Sequence, residues 1–208
     1  MKRGVFVTLE GGEGVGKSTQ AALLADALRA RGRSVVLTRE PGGTPGAEAI
    51  RALLMHGATD RWSARSEALL FAATRADLVE RVIAPALRRG DWVVCDRFVD
   101  SSRAYQGGAK GLADDDVMAL HRIGSDGLMP DRTLLLALSA TEAAHRVGAR
   151  DGADADRFAA RSEEYHARLA VTFDGFARAE PERIRRVSAA GSIDEVAARL
   201  SSALVDLL

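Results

Sequence analysis

Asparagine is absent from this 208-residue chain and lysine nearly so: among 29 basic residues only Lys2, Lys17 and Lys110 are lysines. Arginine stands almost everywhere else, which marks each surviving lysine as a place where the compact ammonium itself is wanted. Cysteine occurs once, at Cys95, so no internal disulfide can form and a secreted, disulfide-stapled scaffold is excluded. Net charge is missing too. The 29 acidic residues balance the basic ones, which argues against a nucleic-acid binder working through bulk positive charge. No apolar run approaches the roughly 20 residues of a membrane span. The run from Val5 to Leu9, behind the basic Met1-Lys2-Arg3, is cut off by Glu10 and is too short for a signal-peptide core. With 47% apolar and 28% charged residues, the expectation is one cytoplasmic globular domain over 1–208, touching neither membrane nor nucleic acid.

What is present is an alternation of short apolar runs with helical patterns. Gly4–Glu10, Ser34–Thr38, Asp91–Asp96, Arg132–Leu138 and Arg183–Val187 read as strands. Between them lie helical stretches over Lys17–Arg31, up to about His56, Ser63–Arg89, Ala113–Ile123 and Thr141–Arg150, with Pro85 expected to bend the third. Phe158, Tyr165, Leu169, Phe173 and Phe176 mark a further helical core face. Ser192-x-x-Glu195 is a capping box opening a terminal helix to Leu207. Continuous apolar strands separated by helices predict an α/β fold: a parallel sheet of about five strands covered by helices on both faces, in three layers. In such sheets ligands sit beyond the carboxyl ends of the strands.

At the first of those ends Gly11-Gly12-Glu13-Gly14-Val15-Gly16-Lys17-Ser18 matches G-x-x-x-x-G-K-[ST], with Thr19 behind it. Its glycines let backbone N–H groups turn toward phosphate oxygens, and the following helix adds the positive end of its dipole. Lys17 is placed to reach the terminal phosphates and Ser18 to ligate Mg²⁺. The segment lies between a predicted strand and a predicted helix, as that mechanism requires, and uses one of the scarce lysines. It is read as the phosphate loop of a nucleoside-triphosphate site, in a P-loop NTPase fold.

Such a loop serves switches, motors and small-molecule kinases alike. A guanine-specific switch reads its base with Asn-Lys-x-Asp, and a chain without asparagine cannot. A small-molecule kinase remains. Thr38-Arg39-Glu40-Pro41-Gly42-Gly43-Thr44, Phe71-Ala72-Ala73-Thr74-Arg75, Asp96-Arg97-Phe98, Ser101-Ser102-Arg103-Ala104-Tyr105-Gln106-Gly107 and Pro130-Asp131 then follow in order along the chain. With the phosphate loop they give a sequence that resembles the bacterial thymidylate kinase family essentially end to end. The resemblance implies transfer of a phosphoryl group from ATP·Mg²⁺ to dTMP, giving dTDP for dTTP synthesis, on a homodimer.

The acceptor in that reaction is a phosphate oxygen whose second pKa is about 6, already deprotonated near neutrality, so the site needs alignment and positive charge rather than a general base. Arg97 is the first candidate to hold the dTMP phosphate and the transferring group, with Asp96 beside it as a Mg²⁺ ligand, directly or through water. By resemblance Arg39 and Arg51 also meet the acceptor phosphate, Phe71 stacks on thymine, and Arg75 donates to its O4. That donor opposes the amino group of cytosine, since two donors facing each other leave both unpaired. Ser102 and Gln106 are assigned to the base edge, and Tyr105 to the sugar 2′ position, favouring deoxyribose. Arg103 departs from the apolar or small residue expected in that motif.

Some members of the family carry an arginine in the phosphate loop where this chain has Glu13. The missing positive charge is then expected from a mobile lid at about 146–158, from Arg150 first and Arg157 second, with Arg146 flanking. Glu13 matches the family's acidic residue near the sugar 3′-OH or the metal's water shell. The four histidines carry no metal-ligand spacing, and Cys95, in an apolar strand, reads as packing. Two other functions stay open on the sequence: a deoxynucleoside kinase using Glu40 or Glu13 as a base, and a nucleotide-binding switch without turnover.

Overall fold

The computed structural model describes residues 3–151, 157–158 and 161–208, without the side chains of 149–151. The lid expected over 146–158 therefore lies partly outside the described residues, as does the Arg150 side chain. Five parallel strands, β1 (Phe6–Glu10), β2 (Val35–Arg39), β3 (Trp92–Asp96), β4 (Arg132–Ala137) and β5 (Ile184–Ser188), form one sheet in the order β2-β3-β1-β4-β5. Each begins and ends within about two residues of the run that announced it. The central strand β1 is buried along its whole length.

Its side chains alternate between faces, as a pleated strand requires. Val7 and Leu9 join Leu24, Leu28, Val94, Leu134 and Leu200 on the side covered by α1 (Lys17–Ala30) and the last helix. Phe6 joins Val93, Cys95, Phe98, Leu78 and Ile83 on the other. Cys95 packs there as expected, its thiol donating to the Arg97 carbonyl at 3.0 Å.

The remaining helices follow in order. α2 is Pro45–Met55, capped by Thr44, and α3 is Ala64–Leu78, capped by Ser63. The long helix expected to bend only at Pro85 instead widens before it. Val79–Ile83 is a π-helical turn, in which Ala84 N–H reaches back to Val79, and α4 (Ala84–Arg89) resumes beyond. A proline cannot donate and crowds the carbonyl four residues earlier, and one wide turn relieves both problems.

After β3 comes a segment the periodicity did not announce: α5 (Val99–Ser102) running into a second π-helical stretch, Arg103–Gly108. α6 is Asp114–Ser125, α7 is Ala140–Asp151, α8 is Glu163–Ala179 and α9 is Ile193–Ser202. α8 starts at Ser162, whose side chain caps it, so Phe158 belongs to the segment before the helix, not to its face. The capping box at Ser192 and Glu195 forms as read.

The register brings the strand ends level: Arg39 lies beside Asp96, and Asp96 beside Leu9. The residues just past β1, β2 and β3 therefore emerge on one edge of the sheet.

Candidate active site

The loop after β1 is built by its glycines. Gly16 caps α1 at φ 89° and Gly14 sits at φ 73°, conformations that side chains rarely adopt. A Cβ on Gly14 would lie 2.5 Å from the carbonyl of Ala143, so only glycine lets α7 cross directly over the loop. Lys17 is buried and donates to the Gly12 carbonyl at 2.6 Å. Burial, with the nearby Arg97 charge, pulls its pKa down to about 8.

Beyond this loop a cleft of about 450 Å³ opens over the strand ends. Lys17, Ser18 and Thr19 line one end, and Arg39, Arg51, Arg97, Phe71, Arg75, Ser102, Tyr105 and Gln106 line the rest. These residues come from segments far apart in the chain, and each is named from the sequence as a site candidate.

Arg97 sits where β3 ends, with its backbone at φ 70°, a strained position for a side-chain-bearing residue. It is held there by its N–H on the Leu9 carbonyl at 3.0 Å. Its guanidinium donates to the Gly11 carbonyl at 3.0 Å, to Ser101 Oγ at 3.2 Å and to Glu13 Oε1 at 2.5 Å. Tyr105 donates to the same Glu13 oxygen at 2.8 Å, and Arg97 lies 5.0 Å over its ring. Glu13 thus joins the phosphate loop, the β3 arginine and the tyrosine.

Ser18 Oγ lies 2.5 Å from Asp96 Oδ2, and the buried Asp96 Oδ1 has no hydrogen-bond partner. One hydroxyl and one carboxylate with a spare oxygen suit a hard cation that takes its other ligands from water and phosphate. No group of three or more His, Cys, Asp or Glu residues suited to holding a metal occurs among the described residues.

At the far end of the cleft Arg75 is 2% exposed. Its Nε donates to both Glu40 oxygens, at 3.2 and 3.0 Å, and its Nη2 to Ser102 Oγ at 2.6 Å. Burial lifts Glu40 to about 7 against the opposing pull of Arg75. Glu40 is the carboxylate that fixes the fork of Arg75. Arg39 is shared with Glu48 at 3.0 Å, and Arg51 donates to the Pro41 carbonyl at 2.8 Å.

Two expected positions differ. Arg157, expected on the phosphates, is buried against Glu67 of α3, beside Phe158, whose ring meets Phe71 edge-on at 5.8 Å. The arginine flanking the lid that does line the cleft is Arg146, on the same helix as Ala143. Arg103 turns away from the cleft. It pairs with Asp100 at 3.0 Å, Asp114 at 2.9 Å and Glu180 at 2.8 Å, and lies 4.2 Å over the Phe176 ring. The departure from the motif is therefore structural. Asp100 also takes Arg183 at 2.6 Å; burial alone would raise its pKa, but the two guanidinium groups override it and hold the carboxyl below its usual value.

Glu10 was not read as part of the site. It is wholly buried at the end of β1 and accepts from Phe98 N at 2.8 Å, Ser101 N at 3.2 Å and Ser101 Oγ at 2.5 Å, so it fixes the start of α5. Burial, then the Asp100 charge, push its pKa up to about 8. The folded state therefore keeps a proton that the unfolded chain releases above about 4.5, and this contribution to stability is lost as pH rises toward 8. Glu10→Gln keeps the acceptor without the charge. Its melting temperature should gain on the wild type from pH 5 to about 8 and level off beyond, whereas a constant difference across that range would show that Glu10 is not the titrating group.

The chain matches a family profile described as thymidylate kinase over residues 9–200. It is 62% identical to a thymidylate kinase of Rhizorhabdus wittichii over 205 residues, covering 99% of both chains. It is 49% identical to one of Gluconobacter oxydans over 209 residues, covering 99% of this chain and 96% of the relative. Among solved structures, the crystal structure of thymidylate kinase from Ehrlichia chaffeensis superposes with a TM-score of 0.77 at 30% identity, covering 97% of this chain and 99% of that one.

Proposed function

The chain belongs to the thymidylate kinase family and phosphorylates dTMP to dTDP, and we propose that Arg97 is the group around which the donor and acceptor phosphates meet. The observation that carries this reading is that the phosphate loop and three arginines, Arg39, Arg51 and Arg97, line one continuous cleft. A nucleoside acceptor brings no phosphate for those arginines to grip. ATP, the donor of the family, lays its phosphates along Gly11–Thr19, with Lys17 at their end.

Ser18 and Asp96 are the residues to hold Mg²⁺, which when bound neutralises charge on the donor phosphates. The dTMP phosphate lies against Arg97, with Arg39 and Arg51 behind it, and its oxygen needs no base because it is already ionised near neutral pH. Glu13 cannot neutralise a transferring phosphoryl group. The compensating cation on this reading is Arg146, since α7 lies against the loop at Gly14 and Arg146 lines the cleft. Arg150 is the further candidate. Phe71 offers its face to the base, Arg75 its fork to O4, Ser102 and Gln106 the base edge, and Tyr105 guards the 2′ side of the sugar.

The chain acts as one kinase domain. A homodimer is supported by Leu69 and Ile123, 56% and 82% exposed on α3 and α6, two helices that pack closely where a Cβ on Gly124 would meet Ala76 at 3.3 Å. Sedimentation that finds only monomer at assay concentrations would remove it. Among the described residues no helix is long and apolar enough to cross a membrane.

ADP release from ATP and Mg²⁺ tests the acceptor site when dTMP, dUMP, dCMP, dGMP and free thymidine are offered separately. Strong turnover with dTMP, weaker with dUMP and none with thymidine is the expected pattern. Turnover with thymidine alone would mean that a carboxylate such as Glu40 or Glu13 acts as a base.

A further inference from the structure

Behind the base end of the cleft lies a buried charge cluster to which the phosphoryl transfer assigns no part. Glu67 is 0% exposed on α3, one helical turn before Phe71 and two before Arg75. It receives Lys110 Nζ at 2.8 Å and Arg157 Nη2, and on its other oxygen Gln106 Nε2 at 2.9 Å. Gln106 is itself 1% exposed and lines the cleft, and its Oε1 has no hydrogen-bond partner.

A side-chain amide can face either way, and its neighbours decide. An ionised carboxylate only accepts, so it compels the amide to show it NH₂. A buried carboxylate stays ionised when cations sit on it. Glu67 has two, one of them a lysine in a chain that uses almost none. With NH₂ committed to Glu67, Oε1 is turned away from it as a buried acceptor awaiting a donor.

We propose that Glu67, held ionised by Lys110 and Arg157, is the positioning residue that fixes the Gln106 amide so that Oε1 is offered to the N3–H of the base. This rests on the reading that Gln106 meets the base edge. Thymine and uracil carry a hydrogen at N3; cytosine carries a lone pair there and meets Oε1 acceptor to acceptor. The relay therefore separates thymine and uracil from cytosine and is blind to the difference between thymine and uracil.

The experiment measures kcat/KM for dTMP, dUMP and dCMP, with the KM for ATP, in the wild type, Gln106→Ala and Glu67→Gln. A glutamine at 67 can donate to Gln106 and let its amide turn over. The expected result in Glu67→Gln is a fall of about 5- to 100-fold for dTMP and dUMP in parallel, carried mainly by KM, with dCMP and the KM for ATP little changed. Equal losses on all three nucleotides, or no loss while Gln106→Ala is impaired, would overturn the proposal and leave Gln106 at the base. An unimpaired Gln106→Ala would overturn the underlying reading as well. If the unpaired cations keep Glu67→Gln from folding, Glu67→Gln/Lys110→Met removes one of them, and the same comparison applies.

Discussion

Arg97→Ala is expected to lower kcat by about a thousandfold or more, the scale on which an arginine at a transferring phosphoryl group acts. The loss has two parts. The guanidinium proposed to face the phosphates disappears, and Glu13, bonded to it at 2.5 Å, loses that cation at the phosphate loop. Arg97→Lys should not rescue it, because an ammonium cannot hold Gly11, Ser101 and Glu13 in one plane and still meet a phosphate. Lys17→Ala should fall as far, since no other lysine lies in the loop. Steady-state ADP release within tenfold of the wild type in either variant would remove that residue from the chemistry.

The second large effect is expected at Arg75. Arg75→Met removes the donor proposed for O4 and leaves Glu40 buried without its cation. Breaking a buried pair by deleting one partner costs about 3–5 kcal/mol. Both stability and dTMP preference over dCMP should therefore drop, the latter by about 100-fold or more. The two losses can be separated. Arg75→Met/Glu40→Gln relieves the stranded charge, so its melting temperature should recover while the preference stays lost. A double variant that keeps the wild-type preference would show that Arg75 serves the fold and not the base.

The difference between what could and could not be read from the chain follows contact range. The phosphate loop, the five strands and the arginines at their ends are local patterns, and the parallel register then carries them to one edge. Glu67 and Arg157 stand 90 residues apart and share no local signal. Arg103 looked like a flaw in a motif because its partners, Asp114 and Glu180, lie in other helices. The α3 helix is more instructive. Leu69 is 56% exposed on it while Glu67, Thr74 and Arg75 are buried. A helix that walls a ligand site buries polar groups, so hydrophobic periodicity points to the wrong side of it. One signal was available: Glu67, Phe71 and Arg75 are spaced by four and share a face. The π-helical turns that place Tyr105 and Gln106 had no signal of this kind, because Gly107, Gly108 and the serines before them blur any period.

The claim that the acceptor phosphate sits against Arg97 is tested most directly by equilibrium binding of dTMP and of thymidine to the wild type and to Arg97→Ala. The two ligands differ only in the phosphate, so the ratio of their dissociation constants isolates its contribution. The expected result is that the wild type binds dTMP far more tightly than thymidine, and that this ratio falls at least about tenfold in Arg97→Ala while thymidine binding is little altered. An unchanged ratio would contradict the account and place the acceptor phosphate elsewhere in the cleft.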